Sequence, residues 1–308
     1  MGGVLIGFGI IGAVILVGYI VGRIDLLGVT GHRVLSQLVF FVLTPCLLFV
    51  NISKADVQVL FSPILVVSTA AALVAASISV VVLRLVLNRT VAETTMGTMA
   101  GAYVNANNIG LPVAVYVLGS ATFVAPVLLF QLLVLTPVVL TIMDVTTNRG
   151  AGVSRFRTIT RPFTNPLLIA SLLGVLCSVF GVTIPKDVLE PFSLIGAAAV
   201  PVVLISFGMS LHGQRPLQKG SARVEVVLES ALKTIVMPVV AWLLGAFVFD
   251  FSHEELFVVV VLAGLPSAQN AFNYAQRYEV GVVVARDTVL ITTIAAVPVL
   301  VVVAALLK

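Results

Sequence analysis

Two short stretches place amides, hydroxyls, glycine and proline in the middle of long apolar runs. Residues 105–112 read NANNIGLP, and residues 264–273 read GLPSAQNAFN. Proline removes a backbone donor and clashes with the carbonyl one turn back, and glycine relaxes the local dihedrals. Gly110-Leu111-Pro112 and Gly264-Leu265-Pro266 are therefore where a helix is expected to come apart. The freed N–H and C=O groups must then be buried in protein or line a wet cavity. A half-helix restarting at such a break points partially positive N–H groups toward it, which suits an anion. Asn105, Asn107 and Asn108 on one side, with Ser267, Gln269, Asn270 and Asn273 on the other, add neutral donors and acceptors. The chemistry fits a small polar or anionic solute. Kinks and amides also serve simply to bond neighbouring helices. Two such stretches in matching positions of two halves are what point to a binding site.

The residues missing from these stretches narrow the chemistry. Neither contains Asp, Glu, Lys or Arg. A carrier that exchanges cations at such a place wants carboxylates there, so cation exchange is not expected as the main activity. The one deeper charge is Lys233, roughly 12 Å past Glu225 at 1.5 Å per helical residue. Glu229 lies one turn before it, in the order that favours an i,i+4 pair. Two readings stay open: a self-satisfied pair at the membrane edge, or a partner for a substrate carboxylate or a coupling proton. Gln131, Thr292 and Thr293 are further polar candidates inside apolar runs. Cys46 and Cys177 show no disulfide or metal spacing, nor do His32, His212 and His253, so no metal or cofactor is expected. No P-loop, nucleophile elbow or dinucleotide fingerprint is present, and neither an enzyme nor an ATP-driven pump is expected.

The elements that must position these residues follow from composition. Hydrophobic residues make up 60% of the 308, charged residues 10%, and mean hydropathy is +1.19. Soluble domains are nearer half apolar and a quarter charged. Apolar runs of about the ~20 residues that span a bilayer cover 3–22, 33–52, 61–87, 94–118, 122–144, 165–182, 190–211, 226–249, 254–276 and 284–307. They do not alternate as barrel strands do, so ten transmembrane helices are expected. The first run lacks a basic leader and a small-residue cleavage site, and reads as helix 1 rather than a cleaved signal.

Net charge is +4, and its distribution is informative. Arg23, Arg33, Arg84, Arg89, Arg149, Arg155, Arg157, Arg161, Arg215, Lys219, Arg223, Arg277 and Arg286 all follow odd-numbered helices; only Lys54, Lys186 and Lys308 lie on the other side. That bias puts the odd-numbered loops in the cytoplasm and both termini outside the cell (inner or plasma) membrane. Charges spread over five short loops do not make a nucleic-acid patch.

The halves 1–144 and 165–308 echo each other across a basic connecting loop, 145–164. Pro45 and Pro201, Pro112 and Pro266, and Pro137 and Pro298 recur at nearly constant offset. Five helices per half is an odd number, so the repeat is expected to be inverted, bringing helices 4 and 9 to cross at the midplane.

At this point the chain resembles the auxin efflux carrier family, which includes plant auxin carriers and bacterial malate and malonate permeases. HRVLSQLVFFVLTPCLLFVNIS (32–53) is similar to the family's helix 2, NANNIGLP to its helix 4 break, GLPSAQNAFNYAQRY (264–278) to its helix 9 break, and IAAVPVL (294–300) to its last helix. The resemblance implies two inverted five-helix repeats, a scaffold of helices 1, 2, 6 and 7, and a transport part of helices 3–5 and 8–10. It implies elevator-like movement of an organic anion without ATP, often as a homodimer, with Asn105 contacting substrate and Pro112 and Pro266 at the crossing. The long regulatory loop of many plant members is absent, and so is a charged pair on helix 3. The rival readings are a sodium-coupled symporter of the bile-acid type and a non-transporting membrane sensor.

Overall fold

In the computed structural model, residues 2–28, 30–54, 63–147, 166–212, 217 and 222–307 are described. The connecting loop beyond 147, with Arg149, Arg155, Arg157 and Arg161, lies outside them, as do Arg215, Lys219 and Lys308. Among the described residues the chain is helical, with one isolated β-bridge. The helical segments group into ten units. These are α1 (Gly2–Arg23), α2 (Gly31–Ser53), α3 (Pro63–Val86), α4 (Val91–Ala102 and 106–116), α5 (125–146), α6 (Pro166–Val179), α7 (Lys186–Leu211), α8 (Arg223–Phe247), α9 (His253–Ala263 and Gln269–Tyr278) and α10 (Val282–Leu307). Five of them, α2, α3, α7, α8 and α10, are long and apolar enough to cross a membrane unaided.

Proline sets the irregularities. Five-residue stretches with widened, π-type turns occur at Val39–Leu43, Val82–Val86, Ala106–Gly110, Gln131–Leu135 and Leu232–Val236. Four of the five are followed, two residues after their last residue, by Pro45, Pro112, Pro137 or Pro238. A widened turn moves away the carbonyl that a proline ring would strike, so the helix bends without parting. This is why Pro112 does not break α4: Gly110 keeps helical dihedrals (φ −62°, ψ −45°) and Pro112 sits in the first turn of the second half. The break falls upstream, at 103–105, correcting the expected position.

The two broken helices begin alike. Asn88 (φ 52°) precedes the Thr90–Glu93 capping box that starts α4, and Asp250 (φ 50°) precedes the Ser252–Glu255 box that starts α9. In each box the hydroxyl accepts from the glutamate's backbone N–H while the carboxylate accepts from the cap's own N–H. Each cap stabilises its helix by about 1 kcal/mol.

The main helix contacts fall into two sets, bridged where α1 meets the second half of α4. α1 lies along α7, and α2 along α6 and α7. The α1–α7 contact is close because a Cβ at Gly18 or Gly208 would collide with the facing backbone at Ile205 or Ile15, a small-residue contact of the kind that joins helices in lipid. In the second group α3 packs on α4, α8 and α9, α8 on α9 and α10, and α4 on α5.

Candidate functional site

The first half of α4 ends at Ala102, and Tyr103 and Val104 run extended into Asn105. The first half of α9 ends at Ala263; Gly264, Leu265, Pro266, Ser267 and Ala268 then form the second break before the helix resumes at Gln269. The two breaks lie side by side and antiparallel. Asn105 N–H donates to the Pro266 carbonyl at 2.8 Å, and Ala268 N–H donates to the Tyr103 carbonyl at 2.9 Å, flanking the Val104–Ser267 bridge. Backbone groups freed by each interruption are thus met by the other, which an apolar interior demands.

Side chains from neighbouring helices complete the join. Gln131 of α5 donates Nε2 to the Val104 carbonyl at 3.1 Å. Ser267 N–H donates to Thr292 Oγ1 of α10 at 3.0 Å, and Ser267 Oγ donates to the Ala100 carbonyl. Lys233 of α8, fully buried, donates Nζ to the Ala263 carbonyl at 2.7 Å and lies 3.3 Å from Met237 Sδ. It holds the last carbonyl of a helix, where a cation meets the negative end of the helix dipole. Lys233 and Glu229 therefore do not pair with each other, contrary to the self-satisfied pair expected as one reading. The Ala263 carbonyl, exposed by the break, outcompetes a carboxylate one turn away. Although neither break contains a charge, one reaches the second break from another helix.

The predicted polar residues fall into two sets. Ser267, Gly264, Pro266, Gly110 and Pro112 are buried in the framework of the join. Asn107, Asn108, Gln269, Asn270 and Asn273 line one wall of a cavity of about 490 Å³. Asn105 sits behind that wall, 3% exposed; its Oδ1 accepts from Asn108 N–H at 3.1 Å. Asn107 Nδ2 donates to Asn108 Oδ1 at 2.9 Å. Asn105 Nδ2 and Asn107 Oδ1 are buried without a hydrogen-bond partner among the described residues. Orphaned buried amide atoms are rare in folded proteins. Asn270 also reaches the buried Tyr103 hydroxyl, which lies 2.9 Å from Thr136 Oγ1.

The opposite wall comes from α2 and α7: His32, Arg33, Ser36, Gln37, Phe40 and Phe41, with Ser206 and Phe207. Sequence reasoning missed these residues; the hint available was a cluster of polar residues, HR-x-x-SQ, at the start of an otherwise apolar helix. His32 Nδ1 lies 2.9 Å from the Ser206 carbonyl, and Ser36 and Ser206 hydroxyls meet at 2.8 Å, joining α2 to α7. A second hollow of about 410 Å³ shares His32, Phe207, Gln269 and Asn273, and continues to Arg286, His212 and Thr293. Among the described residues, no Asp or Glu lines either hollow. A larger one, about 680 Å³, lies against His253, Glu254 and Glu255 and touches no residue of either break.

A family model described as "Membrane transport protein" matches residues 10–304. The chain belongs to that family. Membership agrees with the auxin efflux carrier resemblance and makes the protein an integral membrane protein of a transport family. A protein of Rhizobium meliloti (strain 1021) named "Putative malonate transporter" is 26% identical over 272 residues, covering 84% of this chain and 82% of that one. An "Uncharacterized transporter" of Methanothermobacter thermautotrophicus is 26% identical over 284 residues, covering 91% and 90%.

Proposed function

We propose that this transport-family member is a secondary carrier for a small organic anion, bound where the two breaks meet. One observation carries the reading: amides of the half-helices that resume after both breaks line a cavity that holds Arg33 and His32 and, among the described residues, no acidic side chain. A substrate carboxylate would accept from Asn107, Asn108, Gln269 and Asn270 and from the half-helix starting at Gln269. Asn105, through its orphaned Nδ2, would complete that set. Asn105 and Asn108 together fix the start of the second half of α4, so the same residue that offers a donor also orients its neighbours. The related malonate-named protein makes malonate the first substrate to try.

In this reading the ten helical units span the membrane as two inverted five-helix repeats, with both termini outside. Matching Asn88–Glu93 and Asp250–Glu255 starts on α4 and α9 support the repeat. α1, α2, α6 and α7 form a scaffold, tied by the Ser36–Ser206 contact, against which α3–α5 and α8–α10 slide. His32 and Arg33, at the start of α2, put part of the cavity lining at the arginine-rich end, which is cytoplasmic in this reading. The family resemblance extends the reading to a homodimer.

The test is uptake of labelled malonate into proteoliposomes by wild type and by Asn105→Ala. Flux in wild type and its loss in a variant that still inserts and elutes as a single species is the expected result. Normal flux in Asn105→Ala would overturn the assigned role.

A further inference from the structure

The carrier reading leaves Glu229 of α8 unused. It is fully buried. Its Oε1 is 2.6 Å from the Ser79 hydroxyl of α3, which is 2.8 Å from Thr98 Oγ1 of α4. Its Oε2 has no hydrogen-bond partner among the described residues and occupies the space where Gly101 would carry a side chain: a Cβ there would overlap it. A Cβ at Gly97, one turn earlier, would lie 3.6 Å from Oε1. The two glycines of α4 make a shelf filled by this carboxyl group. A carboxylate offers about four lone-pair sites, and one hydroxyl donor meets them here. Unpaired charge in such surroundings is costly.

Other charges nearby are engaged elsewhere. On α8 itself, Glu225 pairs with Arg89, and Lys233 holds the Ala263 carbonyl. From α3 and the turn after it, Arg84 donates to the Arg89 carbonyl. From the start of α4, Glu93 closes its capping box. From α10, Asp287 binds Arg286 and the Leu217 N–H. From α9, the contact is the Ala263 carbonyl held by Lys233.

We propose that Glu229 is a proton-binding site whose occupancy decides where Lys233 points. With the proton on, Glu229 is neutral, fits its shelf, and leaves Lys233 on Ala263, so the two breaks stay joined as seen. With the proton off, the carboxylate draws Lys233 back along α8, at the spacing that suits a Glu–Lys pair, and the Ala263 carbonyl is released. On the carrier reading, substrate movement is thereby tied to proton movement.

Infrared titration of the protein in lipid bilayers tests the site without any substrate. A carboxylic-acid C=O band that titrates in wild type, is missing in Glu229→Gln and moves in Ser79→Ala is expected. A band unchanged in both variants would overturn the proposal. Coupling is read separately, from malonate accumulation in proteoliposomes under an imposed pH gradient. One proton per cycle across one pH unit changes the accumulation ratio by about ten-fold. Glu229→Gln is expected to keep malonate exchange and lose that response; an equal response in wild type and Glu229→Gln overturns the coupling. If wild type moves no malonate, the carrier reading fails, while the infrared result still decides the proton site.

Discussion

Two threonines on one face of α10 give a stringent test of how the breaks are held. Thr292 and Thr288 are one turn apart and both fully buried. Thr292 Oγ1 accepts the Ser267 N–H at 3.0 Å and donates to the Thr288 carbonyl at 2.8 Å. Thr288 Oγ1 has no hydrogen-bond partner among the described residues. Replacing either by valine trades a hydroxyl for a methyl of nearly the same volume. In Thr292→Val the Ser267 N–H, buried inside the join, loses its acceptor. A buried donor left unsatisfied costs about 1–3 kcal/mol. The Thr288 carbonyl loses only its side-chain donor and stays within the helix. In Thr288→Val an already unsatisfied hydroxyl disappears, which is neutral or stabilising. Thermal unfolding of the purified protein in detergent should therefore show Thr292→Val melting a few degrees below wild type, and Thr288→Val at or above it. Flux should fall in the first and hold in the second. Equal melting of the two variants would mean that the Ser267–Thr292 bond contributes nothing, and that the breaks are held by backbone pairing alone.

Other expectations follow from the same geometry. Arg33→Gln removes a cavity charge at a partly solvated site worth about 1 kcal/mol, so KM for an anionic substrate should rise about five-fold with kcat retained; an unchanged KM would place the substrate away from α2. Thr90→Ala and Ser252→Ala each remove one capping hydroxyl and should each destabilise by about 1 kcal/mol in denaturant titrations; a null effect at either would show that end to be held by packing instead. Because no acidic side chain among the described residues lines the cavity, replacing sodium with choline should leave malonate flux unchanged, and strict sodium dependence would favour a symporter of the bile-acid type.

The two interruptions were legible because proline, glycine and amides stand out in apolar runs, and Asn107, Asn108, Gln269, Asn270 and Asn273 do share one cavity wall. The position of the first interruption was not. A proline rule alone puts it at Pro112, whereas a widened turn absorbs that proline and the chain opens at Tyr103 to Asn105. The partner of Lys233 was also hidden. Helical spacing shows Glu229, four residues away, but not a carbonyl 30 residues on that becomes available only when α9 parts. Ser36 and Ser206 meet across 170 residues of chain, a contact that no local pattern encodes. The capping boxes are the reverse case: Thr90-x-x-Glu93 and Ser252-x-x-Glu255 can be read directly from the chain, and they locate both helix starts.

The mutual backbone pairing of the two interruptions has a consequence for biogenesis. Asn105 leaves the ribosome long before Pro266 has been made, so the newly inserted N-terminal half carries an unpaired N–H and an unpaired Tyr103 carbonyl into the lipid. Until the C-terminal half arrives, those groups need water, lipid headgroups or a membrane chaperone. A chain stopped after α5 would keep that defect permanently and be a natural target for membrane proteolysis, whereas the two halves made as separate polypeptides could cure it by finding each other.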